Sequence, residues 1–242
     1  MGATKITVEF IAVPDALPLE EMAYFRLRQA LVEGTFAPGE KLSIRRIAEA
    51  LGTSPMPART ALRRLVTEQA LDVLPSGTAV VPRLTREAFS EMAAIRASLE
   101  PLALRLAAPH LDEAALAALE NLRVEHDAAR TSGQPEQFLR LDREFLFTLY
   151  RGAKAPMLLG MIEVLWLRRG PLFWEARWAL MGRPSEVAHR HAPILQALRE
   201  GNVSMAAQEL ETEINEATAF LLGEMRFQGD APASGSIDLR PA

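Results

Sequence analysis

Arg45, Arg46, Arg59 and Arg63 are the side chains whose type and spacing first suggest a chemistry. A guanidinium offers a flat fork of N–H donors that matches a phosphate or the O6/N7 edge of guanine. From Lys41 to Arg64 the basic residues Lys41, Arg45, Arg46, Arg59, Arg63 and Arg64 face a single acid, Glu49, in a chain whose net charge is −4. A basic patch on an acidic chain is the footprint of a local nucleic-acid-binding module attached to something else. Ser54, Met56 and Arg59 fall in the early turns of one helical segment, "SPMPARTALRRL", where a groove-reading helix meets base edges. Arg45 sits on the preceding helix, within reach of the same groove or of a phosphate. Arg63 and Arg64 point toward the backbone of a duplex or toward solvent.

A second group of reactive side chains lies in the latter half. Asp142 shares a helical face with Leu139, Phe145, Leu146 and Leu149. Glu213 lies on the stripe of Ala206, Leu210, Ala217 and Phe220, and His191 on that of Ile194, Leu195 and Leu198. Two acids and an imidazole on three apolar stripes are costly to bury unless paired or metal-bound. One solution is a mixed carboxylate/imidazole site on Asp142, His191 and Glu213, suited to Zn, Mn, Fe or Ni. The other is that His191 bonds one carboxylate and an arginine, Arg96 or Arg168, pairs with the other. Arg96 is also a candidate anchor for the carboxylate of a small organic acid. An enzyme using the same cluster for metal-assisted hydrolysis is the competing class. The sequence contains no HExxH, no phosphate loop and no nucleophile motif to support it.

The elements that must position these residues follow from local signals. A helix is expected from about Leu19 to Glu33, then a turn at "GTFAPGEKL". Ser43 caps a short helix, "IRRIAEAL", that stops at Gly52. Ser54 caps the next, with Pro55 at its first position, where the missing N–H costs nothing. "LDVL" and "TAVVP" around "PSG" form a two-stranded hairpin. That order is a winged helix-turn-helix. Beyond it, helical patterns run over about 85–108, 112–132, 135–151, 155–180, 185–200 and 202–226, with Gly170-Pro171 expected to kink or split the fourth. The fold class is therefore mainly α: an N-terminal winged helix-turn-helix followed by an all-α helical bundle. The expected divisions are a flexible 1–18, a DNA-binding 19–84, an all-α 85–226, and a disordered, Gly/Pro-rich 227–242.

The chain has 242 residues and no cysteine, which excludes disulfides and thiolate zinc sites. "ITVEFIAVP" lacks the flanks of a signal peptide, and no apolar run approaches the roughly 20 residues of a membrane helix. A soluble, cytoplasmic protein with no membrane partner is the expectation.

From about Leu27 to Val81 the chain resembles the N-terminal domain of GntR-family bacterial transcription regulators. The resemblance rests on the "G-x-x-x-PG-x-x-L" entry at Gly34–Leu42, the "IAEALG-x-S" turn and "P-x-R-x-AL-x-x-L" at Pro57–Leu65. "IRASLEPLALRLAA" from Ile95 and "HAPILQALREGN" are similar to helices of the FadR-type FCD ligand-binding domain. The resemblance implies that Arg45 and Arg59 contact DNA, while a third customary arginine is Pro55 here. It also implies a homodimer on a near-palindromic operator in double-stranded DNA, an effector that is a small organic acid, and a divalent-metal site. The positions matching that site are Asp142, Leu146, His191 and Glu213, so one ligand is apolar and another has become a carboxylate.

Overall fold

The computed structural model describes residues 17–183 and 189–230. The expected loose N-terminus falls largely outside them, as do the end of the tail and the segment 184–188 that was to begin the penultimate long helix. The N-terminal unit contains α1 (Leu19–Val32), β1 (Lys41–Leu42), α2 (Ile44–Leu51), α3 (Pro55–Thr67), β2 (Asp72–Val73) and β3 (Ala79–Val80). Ser43 caps α2 by accepting the Arg46 N–H at 3.3 Å, and Gly52 ends it in the left-handed conformation at φ 65°. Pro55 opens α3 with Ser54 at the cap position, although the Ser54 hydroxyl makes no capping bond. The sheet has three strands rather than two. β1 pairs antiparallel with β3 (Lys41 opposite Val80), and β3 pairs with β2 (Asp72 opposite Val80). A two-residue strand is too short to announce itself by alternation.

The helical unit is α4 (Arg86–Ala107), α5 (Glu113–Thr131), α6 (Pro135–Gly152), α7 (Pro156–Glu175), α8 (Arg177–Met181), α9 (His191–Arg199) and α10 (Val203–Glu224). Thr85, Asp112 and Asn202 cap α4, α5 and α10 by accepting backbone N–H groups of Ala88, Ala115 and Met205. α7 does not break at Gly170-Pro171 as expected. It runs through both residues to Glu175, and the break comes at Ala176. The pair serves packing instead: a Cβ on Gly170 would lie 2.6 Å from the Leu31 carbonyl oxygen of α1. No helix among the described residues is long and apolar enough to cross a membrane.

The first residues of the expected disordered tail are fixed. Phe227 is buried against Phe89 with ring centres 5.3 Å apart. Gln228 N–H donates to the Leu84 carbonyl, and Asp230 takes both arms of Arg86 at 2.8 and 3.0 Å.

α7 belongs to two cores. Ile162 and Trp166 pack into the helical core, whereas Leu167, 1% exposed, joins the core built by α1, α2 and α3. Around it, Arg28 pairs with Glu163 at 2.7 Å, and Arg168 donates to the Gln69 carbonyl and lies 3.5 Å from Asp72. Arg168 is thus committed to the N-terminal unit and does not serve Asp142 or Glu213.

Gly34 closes this contact from the other side. It has φ 71°, and a Cβ there would sit 2.0 Å from the Trp174 Cβ. Gly52, at φ 65°, has nothing within 4 Å. Gly52→Ala is therefore expected to lose only the left-handed backbone preference, about 1–2 kcal/mol. Gly34→Ala should lose about 2–4 kcal/mol, because overpacking against Trp174 adds to the same backbone term. Urea unfolding of the two variants measures the difference, and equal losses would show that the α1–α7 contact carries no such constraint.

Candidate nucleic-acid interface and inner polar cluster

α3 buries Pro57, Ala58, Ala61, Leu62 and Leu65 against its own unit. The opposite face exposes Ser54, Met56, Arg59 and Arg63, with Met56 60% exposed. Arg59 and Arg63 line a groove whose far wall is the β2–β3 turn, at Ser76, Gly77 and Thr78. Arg45 is exposed on α2. The other arginines of the patch are otherwise engaged. Arg46 is ion-paired with Glu40, which also accepts the Ala37 N–H at 2.9 Å, so it braces the entry to β1. Arg64 pairs with Glu21 at 2.9 Å and Glu68 at 3.1 Å and lies 3.7 Å from the centre of the Tyr24 ring. The Tyr24 hydroxyl donates to Glu68 at 2.7 Å, and burial, followed by this hydrogen bond, pushes its pKa up to about 12. These contacts fasten α3 to α1 and leave Arg45, Arg59 and Arg63 as the outward arginines around the turn.

Arg96 is neither on the surface nor available. It is 5% exposed, and its fork closes on Glu100 one turn along α4, at 2.7 and 3.3 Å. Glu100 is fully buried and also accepts from the Tyr150 hydroxyl at 2.5 Å and Trp166 Nε1 at 2.8 Å. Four donors converge on it, two on each carboxylate oxygen. The anchor role expected of Arg96 is displaced by this pair.

Glu213 is similarly taken. It accepts from Arg183 at 3.1 Å and from the Arg190 N–H at 3.0 Å, which satisfies both oxygens. The pairing arginine is thus Arg183 rather than Arg96 or Arg168. His191 does meet Asp142, with Nε2 and Oδ1 3.2 Å apart. Two residues not singled out from sequence complete the group. His189, just before α9, places Nδ1 3.6 Å from Asp142 and 3.4 Å from Glu213. His126 comes from α5, stacked on Phe138 with ring centres 4.3 Å apart and 4.7 Å from the His191 ring. A signal for His126 existed: it continues the stripe Leu119, Leu122, His126, Ala129. His189 follows the undescribed segment and lies on no periodic face.

Three of the chain's four histidines therefore converge on Asp142. Burial alone would raise the Asp142 carboxyl, but the imidazoles of His189 and His191 hold it well below its usual range. Burial, then the neighbouring imidazoles of His191 and His189, press His126 down to about 2, so its ring is neutral. Both nitrogens of His126 and of His189, and Nδ1 of His191, are buried without a hydrogen-bond partner. Buried polar atoms are rarely left so. One ligand atom from each of His126, Asp142 and His189 lies within 4.8 Å of the others. Ligands at about 2.1 Å on opposite sides of an ion span roughly 4.2 Å, so small side-chain rotations suffice. Neutral imidazoles plus a carboxylate are the donor set of a divalent transition metal. The fit is to His126, Asp142 and His189, not to Asp142, His191 and Glu213. Leu146, 4% exposed, is a core residue.

The comparisons with known proteins agree with this architecture. Residues 19–81 match the model of the bacterial regulatory proteins, gntR family, and residues 91–215 match the FCD domain. The HTH-type transcriptional regulator McbR of Escherichia coli (strain K12) is 37% identical over 145 residues, 60% of this chain and 66% of that one. The chain spans about half to two thirds of the length of three curated relatives it matches and 80% of a fourth. Among solved structures, E. coli McbR/YncC superposes with a TM-score of 0.80 at 30% identity, over 86% of this chain and 99% of the other. A GntR protein from Rhodococcus sp. RHA1 gives 0.70 at 24% identity over 86% and 99%, a likeness of fold. With both of its units matched in their chain order, the protein belongs to the gntR family of bacterial regulatory proteins and carries an FCD domain C-terminal to its winged helix-turn-helix.

Proposed function

We propose that the protein is a homodimeric transcription regulator whose affinity for double-stranded operator DNA is set by a small organic acid bound in the FCD domain. The observation that carries the DNA-binding part is the division of labour among the arginines of α3. Arg64 is spent on Glu21, Glu68 and Tyr24, while Arg59 and Arg63 are exposed along the groove facing the β2–β3 turn. In this reading Arg59 and Arg45 contact bases or phosphates, Ser54 and Met56 border the same edge, and Arg63 meets a phosphate. Arg46, paired with Glu40, contributes mainly to the fold. Dimerisation through the helical unit is supported by Ile95, Leu102 and Leu106, which are exposed at 41–43% and share one face of α4.

In the same reading the FCD domain holds a divalent metal, Zn, Mn, Fe or Ni, on His126, Asp142 and His189. When bound, such an ion supplies a Lewis-acidic site for an anion. The chain's own residues bury the site and, through Phe138 and Phe145, orient the rings of His126 and His191. A binding role suits this enclosure better than turnover, which needs access for water and substrate, so regulation is favoured over metal-assisted hydrolysis.

The test of the DNA face is fluorescence anisotropy on duplexes selected from a random pool. Arg59→Ala should weaken the selected site by about 1–3 kcal/mol and relax its sequence preference. Arg63→Ala should lower the slope of log K against log salt by about 0.9. Arg46→Ala should leave sequence preference unaltered. Unchanged binding in Arg59→Ala sinks the groove assignment.

For the metal, calorimetric titration of chelator-treated protein with Zn(II), Mn(II), Fe(II) and Ni(II) should give a site that His126→Ala and His189→Ala each weaken roughly tenfold or more. His110→Ala, on the exposed fourth histidine, should leave it intact. Absence of any site in the unmutated protein, or equal affinity in His126→Ala, excludes this ligand set.

A further inference from the structure

Among the buried arginines, Arg169 lacks the pairing that Arg96 and Arg183 have. It is 3% exposed, yet its Nε and Nη1 have no hydrogen-bond partner. Nearby carboxylates are spent elsewhere: Glu100 on Arg96, Tyr150 and Trp166, and Asp142 on the histidines. What Arg169 has instead is aromatic. Its guanidinium carbon lies 3.4 Å from the centre of the Trp166 ring and 3.7 Å from that of Phe173. These rings come from the turn before and the turn after it on α7. Aromatic faces stabilise a cation but leave its N–H edge unsatisfied. Burial, then the like charge of Arg96, lowers its pKa to about 9, so it remains protonated at neutral pH. The result is a buried cation with donors and no acceptor, a state an interior avoids unless something else completes it.

Arg169 borders a partly open cavity of about 340 Å3 between α6, α7 and the end of α1. Arg140 and Arg143 also line it, as do Glu33, Glu136 and Asp142. Those acids have partners: Glu33 accepts from Gln29, Glu136 from Arg177, and Asp142 faces His191 and His189. Arg143 reaches Glu144 at 3.2 Å. Trp166, Phe173 and Trp174 form the apolar part of the wall, and Val32 and Thr35 bring the N-terminal unit into it. A few polar groups in a mostly apolar, aromatic-lined space of this size are the makings of a small-molecule site.

We propose that this cavity between the two units binds a small organic carboxylate, its two oxygens on the Arg169 guanidinium edge and its body against Trp166, Phe173 and Trp174. The planar fork and planar carboxylate match bidentately. The binding site stands on the geometry around Arg169, whereas its consequence for DNA rests on the effector-controlled reading above.

Two of the lining residues are tryptophans, so binding to the full-length protein is readable by intrinsic fluorescence and by thermal shift. Benzoate and succinate at millimolar concentrations, against benzamide and succinamide, are the probes, with inorganic phosphate as a further arm. At least one carboxylate should quench the fluorescence and raise the melting temperature while its amide does neither. Arg169→Gln should weaken that carboxylate roughly tenfold or more. Without ligand it should melt no lower than the unmutated protein, because what it removes is an uncompensated charge. Leu139→Trp, which fills the cavity from α6 and leaves Arg169 untouched, should abolish the response and keeps the test valid if Arg169→Gln misfolds. Equal binding of acid and amide, undiminished carboxylate binding in Arg169→Gln, phosphate binding without any carboxylate binding, or no response to any probe would each overturn the proposal. Arg169-dependent binding that leaves operator affinity unchanged would uphold the site and sink the effector-controlled reading instead.

Discussion

The close approach of α7 to α1 is the constraint on which the remainder of the molecule depends. Two glycines make it possible. At Gly170 the α7 backbone comes so near that a Cβ would press on Leu31 and Val32, and at Gly34 one would overlap Trp174. Leu167 fills the core of the N-terminal unit from this helix, while Trp166, its neighbour in sequence, lies in the core of the bundle. Units joined by a short linker alone move independently by default. Here a shared helix, two ion pairs and a backbone-to-backbone contact join them, so α7 cannot shift without carrying α1.

The interior balances its charges with few exceptions. Arg96 with Glu100 and Arg183 with Glu213 are paired and further hydrogen-bonded, as buried ions must be to persist. Two of the exceptions lie side by side. The imidazoles around Asp142 retain nitrogens without partners, and Arg169, which lines the same small void as Asp142 and His189, retains unmatched donors. One group offers ring nitrogens and a carboxylate, the other N–H donors, and it is on these complementary chemistries in adjoining spaces that the proposals of a metal and of an acid rest.

Much of the architecture was legible because the signals were local. Pro55 at a helix start, Gly52 at a helix end, Ser43 at a cap and "PSG" between β-prone pairs each act within a few residues. The helices of the bundle followed from period and punctuation. What stayed hidden depended on partners far away in sequence. Gly170-Pro171 resembles a break until α1 is known to need that glycine. Arg64 resembles Arg63 until Glu21 and Tyr24 are brought beside it. Arg96 resembled a ligand anchor because nothing in the spacing distinguishes a free arginine from one closed on Glu100, although the i,i+4 relation was there to be weighed. Position along the sequence favours Glu213 as a partner of Asp142 and His191, whereas the geometry brings His126 beside Asp142, across helices rather than along them. Arg169 sat unnoticed in an apolar run, and its significance is its lack of a partner, a property no sequence pattern displays.

A continuous set of contacts leads from these deficits to the outward arginines. Arg169 and Gly170 are adjacent on α7, Gly170 abuts Leu31 and Val32 of α1, and α1 holds α3 through Glu21 on Arg64 and Tyr24 on Glu68. Every link is a packed or charged contact between rigid elements, so displacement at one end has a route to the other. Contact alone does not make a switch, since a ligand shifts an equilibrium only by its difference in affinity between two states. The cavity wall supplies the means for such a difference. Val32 and Thr35 belong to the N-terminal unit while Arg169 and Trp166 belong to α7, so a molecule touching both is held more tightly in one arrangement of the units than in any other. Were the protein the effector-controlled homodimer proposed above, the same choice would be made on both sides, and the spacing of the two α3 helices, which must match successive turns of a duplex, is the quantity it would set.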